Sequence, residues 1–223
     1  MRSRFLITLG LLALLPLTLL TGCASSPTPT ATPAAPATER IVVRPVTEAG
    51  LPAAGFTATD DTTVTLDCGS TALDARPSPV AVDDNILNCS PSSAFAVACW
   101  QDPEPGFAAC YRDPWGTEVV RLPSTGALPA SVAFAEARPL GLLLSSGERC
   151  LIRSGGVWND LDQHPGWYGT YACTGDGALW AASDDGIDRT APRWTVNLAP
   201  LSGTEPLQTR DVVAAYYVGT AER

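Results

Sequence analysis

Six cysteines constrain the fold of this 223-residue chain more than any other feature. They follow a seventh cysteine near the N-terminus and are Cys68, Cys89, Cys99, Cys110, Cys150 and Cys173. An even set of cysteines in an exported protein predicts three disulfide bonds. A metal site is the alternative, but it requires closely spaced cysteine pairs or neighbouring histidines, and the sequence has neither. We therefore expect no metal and a domain cross-linked by three disulfides.

The sequence around these cysteines is typical of β-strands. Helical periodicity is scarce, and glycine or proline interrupts the chain about every eight to twelve residues. The predicted strands are 40–44, 63–67, 85–89, 94–100, 107–112, 117–122, 140–144, 148–152, 169–172, 178–181, 194–199 and 212–218. We expect a single all-β domain over residues 40–223, mostly antiparallel and sandwich- or barrel-like. One short helix near the C-terminus, at 207–215 with Thr209 as its cap, is the alternative for the last strand.

Two segments have the pattern of a β-hairpin. Residues 94–100 return through a turn to 107–111, and residues 142–144 turn at Gly147 into 149–152. Six cysteines allow fifteen pairings, and the sequence by itself does not select one. Sequential pairing is nevertheless favoured, because each successive pair brackets two strands joined by a turn. The predicted bonds are Cys68–Cys89, Cys99–Cys110 and Cys150–Cys173.

The N-terminus has the layout of a secretory signal. A short basic start precedes an apolar run over residues 5–20, which is short and broken by proline and so is a poor spanning helix. Leu20-Thr21-Gly22-Cys23 then resembles the bacterial lipobox, whose cysteine thiol receives a diacylglyceryl group. We predict a signal peptide over residues 1–22 and an acyl-bearing Cys23, with chains such as palmitate, on the extracytoplasmic face of the cell membrane. An ordinary signal peptide is the alternative.

Residues 23–39 are predicted to be the lipidated cysteine followed by a disordered linker. Proline, threonine, alanine and serine dominate residues 24–38, which carry no large apolar side chain and cannot form a core. Proline-rich segments extend by about 3.1 Å per residue, so the linker could hold the domain up to about 45 Å from the bilayer.

The charge of the chain argues against nucleic acid as a partner. The formal net charge is −9, and removal of residues 1–22 takes away Arg2 and Arg4 and no acid, which leaves −11. Nucleic-acid binding requires a clustered basic surface. The expected partners are the membrane, through Cys23, and an envelope glycan, lipid or protein.

Six tryptophans suggest either core packing or a ligand surface. Core and cross-strand packing is the simpler interpretation, since aromatic side chains bury large areas. The alternative is an aromatic ligand surface near Gly155, Gly156 and Gly166, of the kind that binds sugars or aromatic ligands. Its predicted members are Trp158, Trp167, Tyr168 and Tyr171.

No residue carries a catalytic assignment. The single histidine, His164, lies beside carboxylates but is expected to be a surface-loop residue. Residues 184–188 contain three aspartates without the order of a calcium loop, and we expect a solvated turn there. Nucleophile-elbow and zinc-protease motifs do not occur in residues 23–223. We expect no cofactor.

Several strings resemble a group of uncharacterised actinobacterial proteins that are secreted or lipid-anchored. The strings are Cys110-Tyr111-Arg112-Asp113-Pro114-Trp115, the runs 139–141 and 147–158, Tyr171-Ala172-Cys173 and Trp194-Thr195-Val196. The resemblance covers roughly residues 95–200 and implies a small exported, disulfide-bonded domain in a mycobacteria-like envelope. Cys68 and Cys89 lie outside it.

Three functions are compatible with these features. The favoured one is a non-enzymatic envelope module that binds a glycan, a lipid or a protein. The second is a structural or signalling-partner lipoprotein without a small ligand. The third is a cell-wall hydrolase that uses carboxylates such as Asp83 and Asp84, although such pairs are expected by chance in a chain with twenty-three acids.

Overall fold

β-Strands and their connections make up the fold. The computed structural model describes residues 35–68, 75–153, 159–161, 164–202 and 205–222. Within these residues there is no α-helix, and one 3₁₀ turn lies at Ser92–Ala94. The strands are β1 (Glu39–Thr47), β2 (Thr57–Asp60), β3 (Ala75–Pro77), β4 (Leu87–Cys89), β5 (Cys99–Gln101), β6 (Phe107–Cys110), β7 (Glu118–Pro123), β8 (Gly141–Leu144), β9 (Arg149–Ile152), β10 (Asn159–Leu161), β11 (His164–Cys173), β12 (Gly177–Ala181), β13 (Thr195–Pro200) and β14 (Gln208–Ala221).

Six strands from the C-terminal part of the chain close into an antiparallel barrel. The order is β8-β9-β11-β12-β13-β14, and β14 pairs again with β8 to complete the ring. Closure removes the unpaired edges that an open sheet would expose. The all-β, mostly antiparallel and barrel-like expectation is therefore confirmed.

The long strand β14 holds the barrel together. Its first residues pair with β13, Val212 to Tyr216 pair with β8, and Ala214 to Ala221 pair in parallel with β1. The helix considered as an alternative at 207–215 does not form, and the favoured strand at 212–218 lies within β14. Valine pairs and adjacent aromatic residues favour an extended backbone, and partners on both edges of the strand decide the outcome.

The domain begins before the predicted linker ends. Thr38 is only 9% exposed, and its hydroxyl donates to the Val212 carbonyl at 2.7 Å and accepts from the Trp194 amide at 2.9 Å. β1 then starts at Glu39. Contacts of the domain therefore begin two residues before the predicted start at residue 40, because this small polar side chain satisfies backbone groups where β13 and β14 meet.

The remaining strands form an open six-stranded sheet in the order β2-β7-β6-β5-β4-β3. All its pairings are antiparallel except β2 with β7. β2, β3 and β10 were not predicted. Residues 63–67 form no strand, and only Leu66 and Asp67 make isolated bridges. Most of the predicted strand at 94–100 is also absent, because only Cys99 and Trp100 join β5 and the 3₁₀ turn takes Ala94.

All three predicted disulfides are present. Cys99–Cys110 and Cys150–Cys173 each join directly opposed residues of neighbouring antiparallel strands. Cys68–Cys89 joins residues 66–68, of which the first two form isolated bridges, to β4. Sequential pairing is confirmed, although Cys68 lies outside the strands, next to the isolated bridge between Asp67 and Ser90.

The barrel and the sheet share one large core. Leu142, Leu179 and Val212 of the barrel belong to the same buried cluster as Trp100 and Tyr111 of the sheet side. A second cluster covers the other face of the sheet and contains all four cysteines of the Cys68–Cys89 and Cys99–Cys110 bonds. A third, small cluster surrounds Trp180.

Alkaline pH is expected to unfold the domain through its buried tyrosines. Burial raises the pKa of Tyr111, Tyr171 and Tyr217 above the usual value, so the folded state favours the neutral phenols. Their contribution to stability is complete below about pH 10, where the unfolded phenols are neutral, and is lost as the pH rises from there towards the folded pKa values. Phenolate absorbance and circular dichroism should therefore change together. Reversible ionisation of all five tyrosines near pH 10 with unchanged dichroism would contradict this prediction.

Candidate functional site

The four residues of the predicted aromatic surface do not form one surface. Trp158 lies outside the described residues. Trp167 and Tyr168 are half-buried near the start of β11. Tyr171 is fully buried, and its hydroxyl donates to the Pro139 carbonyl at 2.9 Å. It therefore presents no exposed surface to a ligand.

A β-bulge explains the burial of Tyr171. Gly169 lies opposite Trp180 on β12, whereas Tyr171 lies opposite Leu179, so one extra residue of β11 falls between them. An extra residue reverses the alternation of side chains beyond it. Trp167 accordingly packs with the outer Trp180 cluster, and Tyr171 enters the main core.

A cleft of about 680 Å³ beside the barrel is a stronger candidate. We call it the arginine cleft. It is bordered by β1, β14, the 134–138 segment and the 184–189 turn, and its lining residues are Arg40, Val82, Phe134, Ala135, Glu136, Ala137, Arg138, Asp184, Asp185, Arg189, Trp194 and Tyr217.

Hydrogen bonds to one turn hold the 131–138 segment in place. The Ser131 and Ala133 amides donate to the carboxamide of Asn85 and the carboxylate of Asp84, at 3.2 and 2.8 Å. At the other end the Arg138 amide donates to the Pro79 carbonyl. This segment has no strand structure, yet its backbone is fixed at both ends. It presents the Phe134 ring, 52% exposed, to the arginine cleft.

Aromatic rings support two of the cleft arginines. The guanidinium carbon of Arg40 lies 4.8 Å from the ring centre of Tyr217, and that of Arg189 lies 5.0 Å from the ring centre of Trp194. A guanidinium over an aromatic face gains cation–π attraction and keeps in-plane N–H donors for other partners.

The segment predicted as a solvated turn, 184–188, is exposed only in part. Asp185 is 6% exposed and forms a two-point ion pair with Arg189, with distances of 2.6 and 3.0 Å. Burial alone would lower the pKa of Arg189, but the hydrogen bonds and charge of Asp185 raise it above the usual value. The turn is therefore a fixed wall of the arginine cleft, although Asp184 and Asp188 within it remain exposed.

Opposite charges balance within the arginine cleft. Its three arginines face three acids, Glu136, Asp184 and Asp185. Among the described residues, Arg189 with Asp185 is the cleft's only ion pair, which leaves both donors and acceptors along the walls. Such a lining suits a ligand that both donates and accepts hydrogen bonds better than it suits a polyanion.

The sequence signals for these residues were weak. Phe134 lies between alanines in a segment without strand pattern, and the cleft residues come from segments far apart in the chain. An isolated aromatic residue within a long connection was the one signal that could have marked Phe134.

His164, the remaining candidate within the described residues, lies outside the arginine cleft. His164 begins β11 rather than lying in a loop, and the centre of its ring lies 4.8 Å from the centre of the Trp167 ring. The described residues contain no group of three His, Cys, Asp or Glu side chains placed to hold a metal ion. Cys23, the predicted lipidation site, lies outside them. No helix among them has the length and apolar character needed to span a membrane.

Comparison with protein-family models, with curated proteins and with solved structures finds no significant match to this chain. The function must therefore be argued from the site.

Proposed function

We propose that this protein is a lipid-anchored binding module of the cell envelope that takes a neutral saccharide in the arginine cleft. The observation that carries the proposal is the half-exposed Phe134 ring among walls of guanidinium and carboxylate groups. A sugar ring has an apolar face of C–H groups that packs on an aromatic ring, and a rim of hydroxyls that donate to carboxylates and accept from arginines.

The charges favour a neutral saccharide over an anionic polymer or a lipid chain. The chain has a formal net charge of −9 and the cleft itself is balanced, so a polyanion gains no attraction from either. An acyl chain requires a mainly apolar pocket, whereas half of the lining residues here are charged. Three disulfides are compatible with a site outside the cytoplasm, where envelope glycans lie.

Truncation of the Phe134 side chain tests the proposal. The full chain, extracted in mild detergent, is applied to an array of gluco-, manno- and N-acetylglucosamine oligosaccharides. Phe134→Ala is expected to weaken binding about tenfold, because burial of an aromatic ring contributes about 1.5 kcal/mol. Arg138→Gln is expected to weaken it about fivefold through a lost hydrogen bond.

Matched controls lie close by. Val132→Ala alters an exposed apolar residue of the same segment that does not line the cleft, and Arg76→Gln removes an exposed arginine of β3. Both should bind like the unaltered chain. A chain that binds no oligosaccharide overturns the saccharide proposal and directs attention to protein partners. Binding that Phe134→Ala leaves unchanged overturns the assignment of the cleft.

A further inference from the structure

A second depression lies on the other side of the 184–189 turn. It has a volume of about 370 Å³, and we call it the tryptophan depression. Trp167, Trp180, Ser183, Gly186 and Asn197 are among its lining residues. Asp184, Asp185 and Arg189 line both this depression and the arginine cleft, so the two cavities share the turn as a wall.

An unsatisfied donor borders the tryptophan depression. Trp180 is 2% exposed, and its indole N–H is buried with no hydrogen-bond acceptor among the described residues. A buried donor without an acceptor costs free energy, and most such groups in folded proteins are satisfied. Because this N–H is itself buried, Trp180 contributes to the wall of the depression and does not provide a donor for a ligand.

The walls of the depression are held in place. The Trp167 ring packs against the Trp180 cluster, and its centre lies 4.8 Å from the centre of the His164 ring. The Tyr168 hydroxyl donates to the Asp184 carbonyl at 3.2 Å and so ties β11 to the turn. At Gly186, which has a φ of +72°, a Cβ atom would lie 2.6 Å from that of Ala181, so the turn packs tightly on the end of β12.

We infer that the ligand is an oligosaccharide that crosses the 184–189 turn, with one unit on Phe134 in the arginine cleft and a later unit on Trp167 in the tryptophan depression. The inference rests on the proposed function. Its basis is the wall that the two cavities share and the second aromatic ring, Trp167. A ligand that fills both cavities must be a chain of sugar units rather than a monosaccharide.

The dependence of affinity on chain length tests the inference. The full chain is titrated calorimetrically with gluco-, manno- and N-acetylglucosamine series, from the monosaccharide to the hexasaccharide. In the series that binds, the affinity is expected to rise about tenfold once the oligosaccharide is long enough to reach Trp167. Trp167→Ala should abolish this rise and leave the affinity for the shortest binding member unchanged.

Loss of folding in Trp167→Ala would also remove the rise in affinity. A second variant that fills the tryptophan depression is therefore needed. Ser183 is exposed and, of the two cavities, lines the tryptophan depression and not the arginine cleft. Ser183→Trp should therefore fill the depression and remove the rise in affinity with chain length. Ser93→Trp, at an exposed serine of the 3₁₀ turn, is the control and should retain it.

The outcomes separate the two proposals. In one outcome, short oligosaccharides bind through Phe134, but longer ones bind no more tightly and Ser183→Trp has no effect. This outcome overturns the sugar site in the tryptophan depression and leaves the proposed function standing. Absence of binding in every series overturns both.

Discussion

Reduction of the three disulfides is expected to unfold the domain at room temperature. In the chain-entropy description, a cross-link that closes a loop of the size bridged by Cys150 and Cys173, 23 residues apart, contributes about 3 kcal/mol. Three bonds of similar size contribute about 9 kcal/mol together, whereas a domain is usually stable by only about 5–15 kcal/mol. A domain in the middle of that range would then have little or no stability left after reduction.

The bond in the barrel can be examined separately. The double variant Cys150→Ala, Cys173→Ala should lose about 3 kcal/mol in urea unfolding followed by tryptophan fluorescence. The corresponding Cys68→Ala, Cys89→Ala variant is the comparison, because it removes a bond of similar span from the sheet. An unchanged midpoint after full reduction, verified by thiol counting, would show that packing alone holds the barrel. Dependence on these bonds would agree with folding outside the reducing cytoplasm.

The sequence predicted those parts of the fold that depend on local pattern. The β5–β6 and β8–β9 hairpins each return through a short connection, so alternation and turn residues were sufficient to place Cys99 opposite Cys110. Closure of the barrel by β14 with β8, and the parallel pairing of β1 with β14, join segments far apart in the chain. Such pairings leave no local pattern. β2 shows no alternation, because all four of its side chains are exposed.

The site was harder to predict than the fold for a related reason. Trp167 was identified as an aromatic surface residue and does line a depression. Tyr171, four residues later, would share its face in a regular strand, but the bulge after Gly169 turns it into the core. Arg40 and Arg189 gain their roles only from the rings of Tyr217 and Trp194, which the fold brings to them.

Substitution of Cys23 is expected to abolish lipid attachment completely. If Leu20-Thr21-Gly22-Cys23 is a lipobox, the mature chain begins at Cys23 and carries a diacylglyceryl group on its thiol. Each buried methylene contributes about 0.8 kcal/mol, so two or three acyl chains hold a protein at the membrane where one binds only marginally. Cys23→Ser has no thiol to accept the lipid and should incorporate no labelled palmitate.

Intact mass gives the decisive measurement for this anchor. The unaltered chain, expressed in a bacterial host, should lack residues 1–22 and carry the added lipid mass. Thr21→Ser is the control, because it keeps a small residue in the motif and should be processed in the same way. A mature chain without lipid would make Cys23 part of an ordinary signal cleavage site and the domain a secreted one. The saccharide proposal would survive that result, because the arginine cleft depends on residues 40–217 and not on the anchor. Alkylation before reduction adds mass at each free thiol. Any such thiol among the six later cysteines would contradict the three bonds on which the fold depends.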